Sequence, residues 1–247
     1  MPLYLIVLLP LLGFLVNGIL GAKLKKPLPG VIACLAMGGA FFVAVARVLG
    51  LSADGGENTR IIELVYRWMS AGPFSADVTF MLDRLSAVMI LIITGIGLLI
   101  HIYSVGYMHD DHNDPDGKLY ARYFAVLNLF VAFMAILVLA DNYLLTFVGW
   151  EGVGLCSYFL IGYWFNRTDA AEASKKAFIA NRVGDWGFLL AMALVFLATG
   201  TLRYYGQEPV NAITAATGTP PPRTAPNGSR RPGVSSSSAM ARNPERA

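Results

Sequence analysis

Charge is scarce in this 247-residue chain. Asp, Glu, Lys and Arg make up only 14% of it against 55% hydrophobic residues, and the mean hydropathy is +0.55. Soluble domains carry about 25% charged residues, so this composition excludes a soluble core and points to membrane helices. Cysteine is scarcer still. Cys34 and Cys156 both stand in apolar runs and neither belongs to a CxxC pair, which excludes a zinc or iron–sulfur cradle on this chain and leaves a disulfide framework unsupported. Both read as small apolar packing residues. Any redox chemistry the protein serves therefore has its centres on other chains. The net charge is only +3 and much of the arginine falls near the C-terminus, so the basic balance does not indicate nucleic-acid binding. After Leu202 there is no Leu, Phe or Trp at all.

What the chain does have is a series of long apolar runs. The first, residues 3–21, is followed by Lys23, Lys25 and Lys26. A secretory signal carries its charge before the apolar stretch, so this run reads as a retained transmembrane helix. The lysines place the following loop inside and the N-terminus outside. A second run covers residues 30–51. In the outer loop that follows, Ile61, Ile62, Leu64, Val65 and Trp68 recur among Arg60, Glu63 and Arg67. That spacing predicts either a short interfacial helix with an aromatic anchor or a loop ordered over the bundle. The third run, residues 80–102, opens at Asp83-Arg84, a helix-start carboxylate beside a snorkelling arginine. It closes at His101, read as an interfacial hydrogen-bonding group.

Residues 103–118 hold His109, Asp110, Asp111, His112, Asp114 and Asp116. Alternating His and Asp invite a metal, but Pro115 and Gly117 make a turn, so a solvated acidic loop is expected. The fourth run, residues 121–140, contains Asn128. Asp141-Asn142 then forms a tight turn into the fifth, which makes helices four and five antiparallel neighbours. Tyr163-Trp164 closes the fifth as an interface belt, and a sixth segment covers residues 168–199. The expected fold is all-α and integral to the membrane: a multi-pass bundle of about six helices over residues 1–202, with no soluble domain. Residues 203–247 hold seven of the 13 prolines and a run of four serines. Their composition is that of a disordered tail, expected to be either a soluble linker or the product of a reading-frame error near Thr217 to Pro220.

Glu151 is the one carboxylate in the fifth apolar run. It lies about 13 Å along a helix beginning at Asn142, at ~1.5 Å per residue, near the middle of a bilayer core of about 30 Å. A charge there costs at least ~3 kcal/mol, and intramembrane acids by default belong to ion pathways. The plainer alternative is a neutral acid that fixes helix packing. On the sixth helix Arg182 and Asp185 are three apart and share a face, as do Glu172 and Lys176, four apart; Lys175 lies seven before Arg182 on that same side. The Arg182–Asp185 pair reads equally as a static lock between helices or as part of an ion path. Taken as an isolated pair, it predicts that Asp185→Asn costs more than the double change with Arg182→Gln. Gly152-Val153-Gly154-Leu155-Cys156-Ser157 nearly spells a dinucleotide fingerprint, but it follows no strand and is mid-membrane. Its small residues instead permit close helix approach or local unwinding.

Gly149-Trp150-Glu151-Gly152-Val153-Gly154-Leu155-Cys156-Ser157-Tyr158, together with Lys175-Lys176-Ala177-Phe178 and Asn181-Arg182-Val183-Gly184-Asp185, resembles the L subunit of proton-pumping NADH–quinone oxidoreductase, respiratory complex I. Leu82-Asp83-Arg84-Leu85-Ser86 and Ile100-His101-Ile102-Tyr103-Ser104 look similar as well. The resemblance covers about residues 1–202. It implies a truncated antiporter-like subunit in which Glu151, Arg182, Asp185, Lys175 and Lys176 serve as a proton relay. It implies no cofactor on this chain, with NADH, FMN, iron–sulfur clusters and quinone on other subunits. The implied partners are the other membrane-arm subunits, the lipid bilayer and protons, and the implied location is a bacterial-type inner or plasma membrane. Subunits of multisubunit cation/proton antiporters share much of this pattern, so a redox-independent antiporter subunit is the second expectation. A scaffold bundle with Glu151 as a packing acid is the third.

Overall fold

The computed structural model describes residues 1–53, 60–71, 74–110, 114 and 117–205. Among the described residues, six helices are long and apolar enough to cross a membrane. They are α1 (Tyr4–Leu20), α2 (Leu28–Ala53), α3 (Arg84–Tyr107), α4 (Lys118–Leu139), α5 (Tyr143–Ile161) and α6 (Thr168–Thr199). The chain is thus a multi-pass membrane bundle, and the sequence locates each span to within a few residues. The tail reading for 206–247 lies outside the described residues, as do Asp111, His112, Asn113 and Asp116 of the acidic turn.

The outer loop corrects the expectation of an interfacial helix. It is an antiparallel hairpin, β1 (Ile61–Ala71) paired with β2 (Phe74–Leu82). Strand pairing also takes the first residues of the third apolar run, so α3 begins only at Arg84. Asp83 is its N-cap. The Asp83 carboxylate accepts from the Ser86 N–H at 2.7 Å, and the Ser86 hydroxyl accepts from the Asp83 N–H at 2.8 Å, a reciprocal capping box. The helix-start carboxylate is therefore confirmed.

α4 packs against α1 and α5 most extensively and also touches α2, α3 and β2. Around it the bundle is fastened at both ends. At the end bearing the lysines, the Lys26 ammonium donates to the carbonyls of His109 (3.2 Å) and Asp114 (3.0 Å). The Asp114 carboxylate accepts from the backbone N–H groups of Leu119 (3.1 Å) and Tyr120 (2.8 Å). It also lies 3.6 Å from the Lys26 ammonium. Asp114 is buried, so this part of the turn is a helix cap rather than solvated acid. It satisfies N–H groups that the first turn of α4 leaves without helical partners.

At the opposite end the hairpin is stitched to the α4–α5 turn and to the chain leaving α6. The Asn142 oxygen caps α5 by accepting from Leu145 N–H at 2.9 Å, while its amide donates to the Asp77 carbonyl at 2.9 Å. Arg203 reaches Asp77 at 3.2 Å and Asp141 at 3.9 Å. The Tyr204 N–H donates to the Asp141 carbonyl, the Tyr143 N–H to that of Leu202, and the Tyr205 hydroxyl to Asp83. Composition places residues 203–205 in the tail, yet these contacts anchor them to the hairpin. Burial pushes the Asp141 carboxyl above its ordinary range, against the opposing pull of Arg203 and Arg60.

Candidate functional site

α5 is drawn against α4 by glycine. A Cβ on Gly149 would lie 2.6 Å from the Leu137 backbone nitrogen, and one on Gly152 would collide with the Phe133 ring. The small residues beside Glu151 therefore permit close approach. α5 runs through them without a break from Tyr143 to Ile161, so the local unwinding that those glycines also allowed does not occur. With that face given to α4, the Glu151 carboxylate is left on the side of α5 that meets α6.

There it meets Arg182. The Arg182 Nη1 donates to the Glu151 carboxylate and lies 3.3 Å from Asp185 Oδ2. The side chains are 25% exposed for Glu151, 40% for Arg182 and 7% for Asp185. Asp185 also accepts from the Trp150 indole N–H at 2.9 Å. The guanidinium carbon is 4.4 Å from the centre of the Phe178 ring, a cation–π contact. So the Arg182–Asp185 spacing read from the sequence forms a real pair. The solitary Glu151 does not exist: one cation bridges two acids, one on α5 and one on α6. Trp150 and Phe178, which fix this geometry, carry no sequence signal beyond being aromatic in an apolar helix.

Lys175 and Lys176 are not brought into this cluster. Both are exposed near the start of α6, and Lys176 lies 3.9 Å from Glu172 one turn back. Cys156 is buried and Cys34 half-buried, both as free thiols. Among the described residues no three His, Cys, Asp or Glu side chains gather as a metal site. His101, expected at the interface, is instead fully buried between α3 and α4 and bonded to Asn128.

Residues 68–124 match the family described as NADH-Ubiquinone oxidoreductase (complex I), chain 5 N-terminus. Residues 140–211, which contain Glu151, Arg182 and Asp185, match the family described as NADH:quinone oxidoreductase/Mrp antiporter, TM. NADH-quinone oxidoreductase subunit L of Mycobacterium tuberculosis is 44% identical over 203 residues, covering 82% of this chain and 31% of that protein. The chain belongs to the subunit L/chain 5 family of NADH–quinone oxidoreductase. Another member, subunit L of Neisseria meningitidis, is 40% identical over 210 residues, 83% of this chain and 30% of that one. The chain thus spans about a third of the length of these curated relatives. Among solved structures, the Mrp complex from Dietzia sp. matches with a TM-score of 0.64 and 25% identity, over 82% of this chain and 20% of that chain. The family's antiporter-like fold is therefore the fold seen here.

Proposed function

We propose that this chain forms the first part of a proton-translocating membrane subunit of an NADH–quinone oxidoreductase, in which Glu151, Arg182 and Asp185 pass a proton on. The bridging position of Arg182 carries this reading. A guanidinium does not give up its proton, so Arg182 acts as a counter-charge rather than as a carrier. While it sits on Glu151, that carboxylate is compensated. If it moves wholly to Asp185, Glu151 loses its counter-charge in a low-dielectric interior, where an uncompensated charge is costly. The exchange needs only a small swing, because Nη1 already lies within ion-pair distance of both acids.

In this reading the electron transfer from NADH to quinone, with its flavin, iron–sulfur clusters and quinone, belongs to partner subunits of the membrane and peripheral arms. Lys175 and Lys176 stand at the exposed start of α6. There they fit a role as surface cations that hand protons toward Glu151 or meet a neighbouring subunit.

Glu151→Gln, introduced into the protein in its own membranes, tests the proposal. NADH-driven acidification of everted vesicles should fall severalfold while NADH oxidation by an artificial acceptor is kept. Wild-type acidification in the variant would overturn it. A second reading has its own support, since one matched family carries the Mrp antiporter name and one matched structure is of an Mrp complex. A cation/proton antiporter subunit would give sodium-dependent proton exchange in vesicles without NADH, abolished by the same substitution.

A further inference from the structure

Among the polar side chains that α1, α3 and α4 bury are two amides and an imidazole, where apolar groups would be ordinary. Asn17 is 2% exposed, and His101 and Asn128 are 0% exposed. His101 Nδ1 lies 2.7 Å from the Gly97 carbonyl oxygen, one turn back on its own helix. That oxygen only accepts, so Nδ1 carries a proton. Nε2 faces the Asn128 amide at 3.0 Å across the α3–α4 interface. A neutral ring then needs a donor there, the Asn128 NH2; an imidazolium needs the Asn128 oxygen. The two amide orientations exchange oxygen and nitrogen in place. The protonation of His101 therefore decides whether the other atom of the Asn128 amide is an oxygen or an NH2.

That other atom points toward α1 at Gly13, where any Cβ would collide with it, and it has no protein partner. One turn along α1 stands Asn17. Its NH2 donates to the Pro29 carbonyl at 2.9 Å, which fixes the Asn17 Oδ1 as the leftover acceptor. This atom too is buried without a partner. Two unsatisfied polar atoms thus meet the α1–α4 contact: the Asn128 amide fills the room that Gly13 leaves, and Asn17 Oδ1 stands one turn along.

We propose that a water molecule is bound between α1 and α4, bridging Asn17 Oδ1 to the Asn128 amide, and that His101 protonation sets its orientation. Water serves both states: it donates to both oxygens when His101 is neutral, and accepts from the Asn128 NH2 while donating to Asn17 when His101 is charged. Among the described residues, Gly97 and Asn128 are the polar partners of His101. α2 presents Met37 toward Gly97 and Phe41 toward Gly95. The groove beside the ring is lined by Ile96, Ile100, Leu127 and Met134. One turn beyond His101 on α3, the Ser104 hydroxyl pairs with the Tyr123 hydroxyl of α4 at 3.1 Å. The result is a polar line from the Pro29 carbonyl, near the lysine-bearing end, through Asn17, water and Asn128 to a titratable ring inside the bundle.

Solid-state NMR of the isotopically labelled 247-residue chain in phosphatidylcholine liposomes tests this. At short mixing times, water magnetisation should reach the side-chain amide signals of Asn17 and Asn128, and the His101 Nδ1 should be protonated. Dry amides in the wild-type chain would overturn the site, and a neutral ring with unprotonated Nδ1 would overturn the switch. Asn17→Leu should abolish the water transfer to Asn128 while the His101–Asn128 contact stays. Undiminished transfer to Asn128 in that variant would overturn the bridge. Should the variant fail to insert, the wild-type measurement decides alone.

Discussion

Replacing Asp185 by Asn distinguishes an isolated ion pair from a cation shared by two acids. If Arg182 and Asp185 were alone, the single change would strand a charged guanidinium in the membrane, and adding Arg182→Gln would relieve it. The structure reverses that order. In Asp185→Asn, Arg182 keeps Glu151 as its partner, and the Asn oxygen still accepts from the Trp150 indole. The loss is then the difference between a charge-assisted and a neutral hydrogen bond, about 1 kcal/mol. In the double variant Arg182→Gln with Asp185→Asn, Glu151 loses its counter-cation. An uncompensated intramembrane charge costs about 3 kcal/mol on insertion scales, and breaking a buried pair by removing one partner costs a similar 3–5 kcal/mol, about the same range. Glutamine's amide softens this, so the double variant should be less stable than Asp185→Asn by about 2 kcal/mol. The triple variant adding Glu151→Gln removes every charge and should recover most of that difference. Reversible unfolding in mixed bicelles, read by tryptophan fluorescence, measures all three. An Asp185→Asn variant at least as unstable as the double variant would refute the shared cation and restore the isolated pair.

Two further outcomes follow from the packing and the outer fastening. Gly152→Val should destabilise the α4–α5 contact by about 2 kcal/mol or more, because its Cβ enters the Phe133 ring and overpacking costs about 1–3 kcal/mol; unchanged unfolding would refute the close approach. Burial raises the Asp141 carboxyl, so the fold favours its protonated form, and that stabilisation is complete below the ordinary carboxylate range and lost as pH rises through the raised value. Asp141→Asn should then be neutral or stabilising at pH 7 and nearly silent at about pH 3, with a larger loss at pH 7 than at pH 3 refuting it in the same unfolding assay.

The sequence makes the spans plain because six stretches are both long and apolar enough to have no other solution. The helix-start carboxylate Asp83 is equally legible, since a short acceptor side chain before an apolar run has a local job, whereas Asn142 reads as a turn and proves also to cap α5. The hairpin is hidden for a physical reason. Register shifts between Leu64 and Tyr66 and between Arg67 and Met69 break the strand alternation. A period of two interrupted twice within eleven residues passes for a helical one. The site divides in the same way. Arg182 and Asp185 lie within one turn and announce themselves. Glu151 and Arg182 are 31 residues apart, and only the packing of α5 on α6 joins them. Arg203, beyond the last leucine, finds Asp77 across 126 positions, a contact that composition alone assigns to a tail.

These fastenings bear on how the site works. α5 is held rigidly: Asn142 ties its start to the hairpin, and Gly149 and Gly152 seat its middle on α4. α6 is held differently. Its main helical contact in the bundle is with α5, its buried residues are only Ser174 and Asp185, and its far end is tied through Leu202 and Arg203 to the α4–α5 turn and the hairpin. An element anchored at one end and lightly packed along its length moves by small tilts about that anchor. Asp185 rides with Arg182 through such a tilt, because both are on α6, whereas Glu151 stays with α5. The tilt therefore lengthens the Glu151–Arg182 contact while leaving Arg182–Asp185 intact. In the proposed relay, the asymmetry of one shared cation, with one acid on its own helix and one on its neighbour, lets a tilt of α6 change the charge compensation at Glu151.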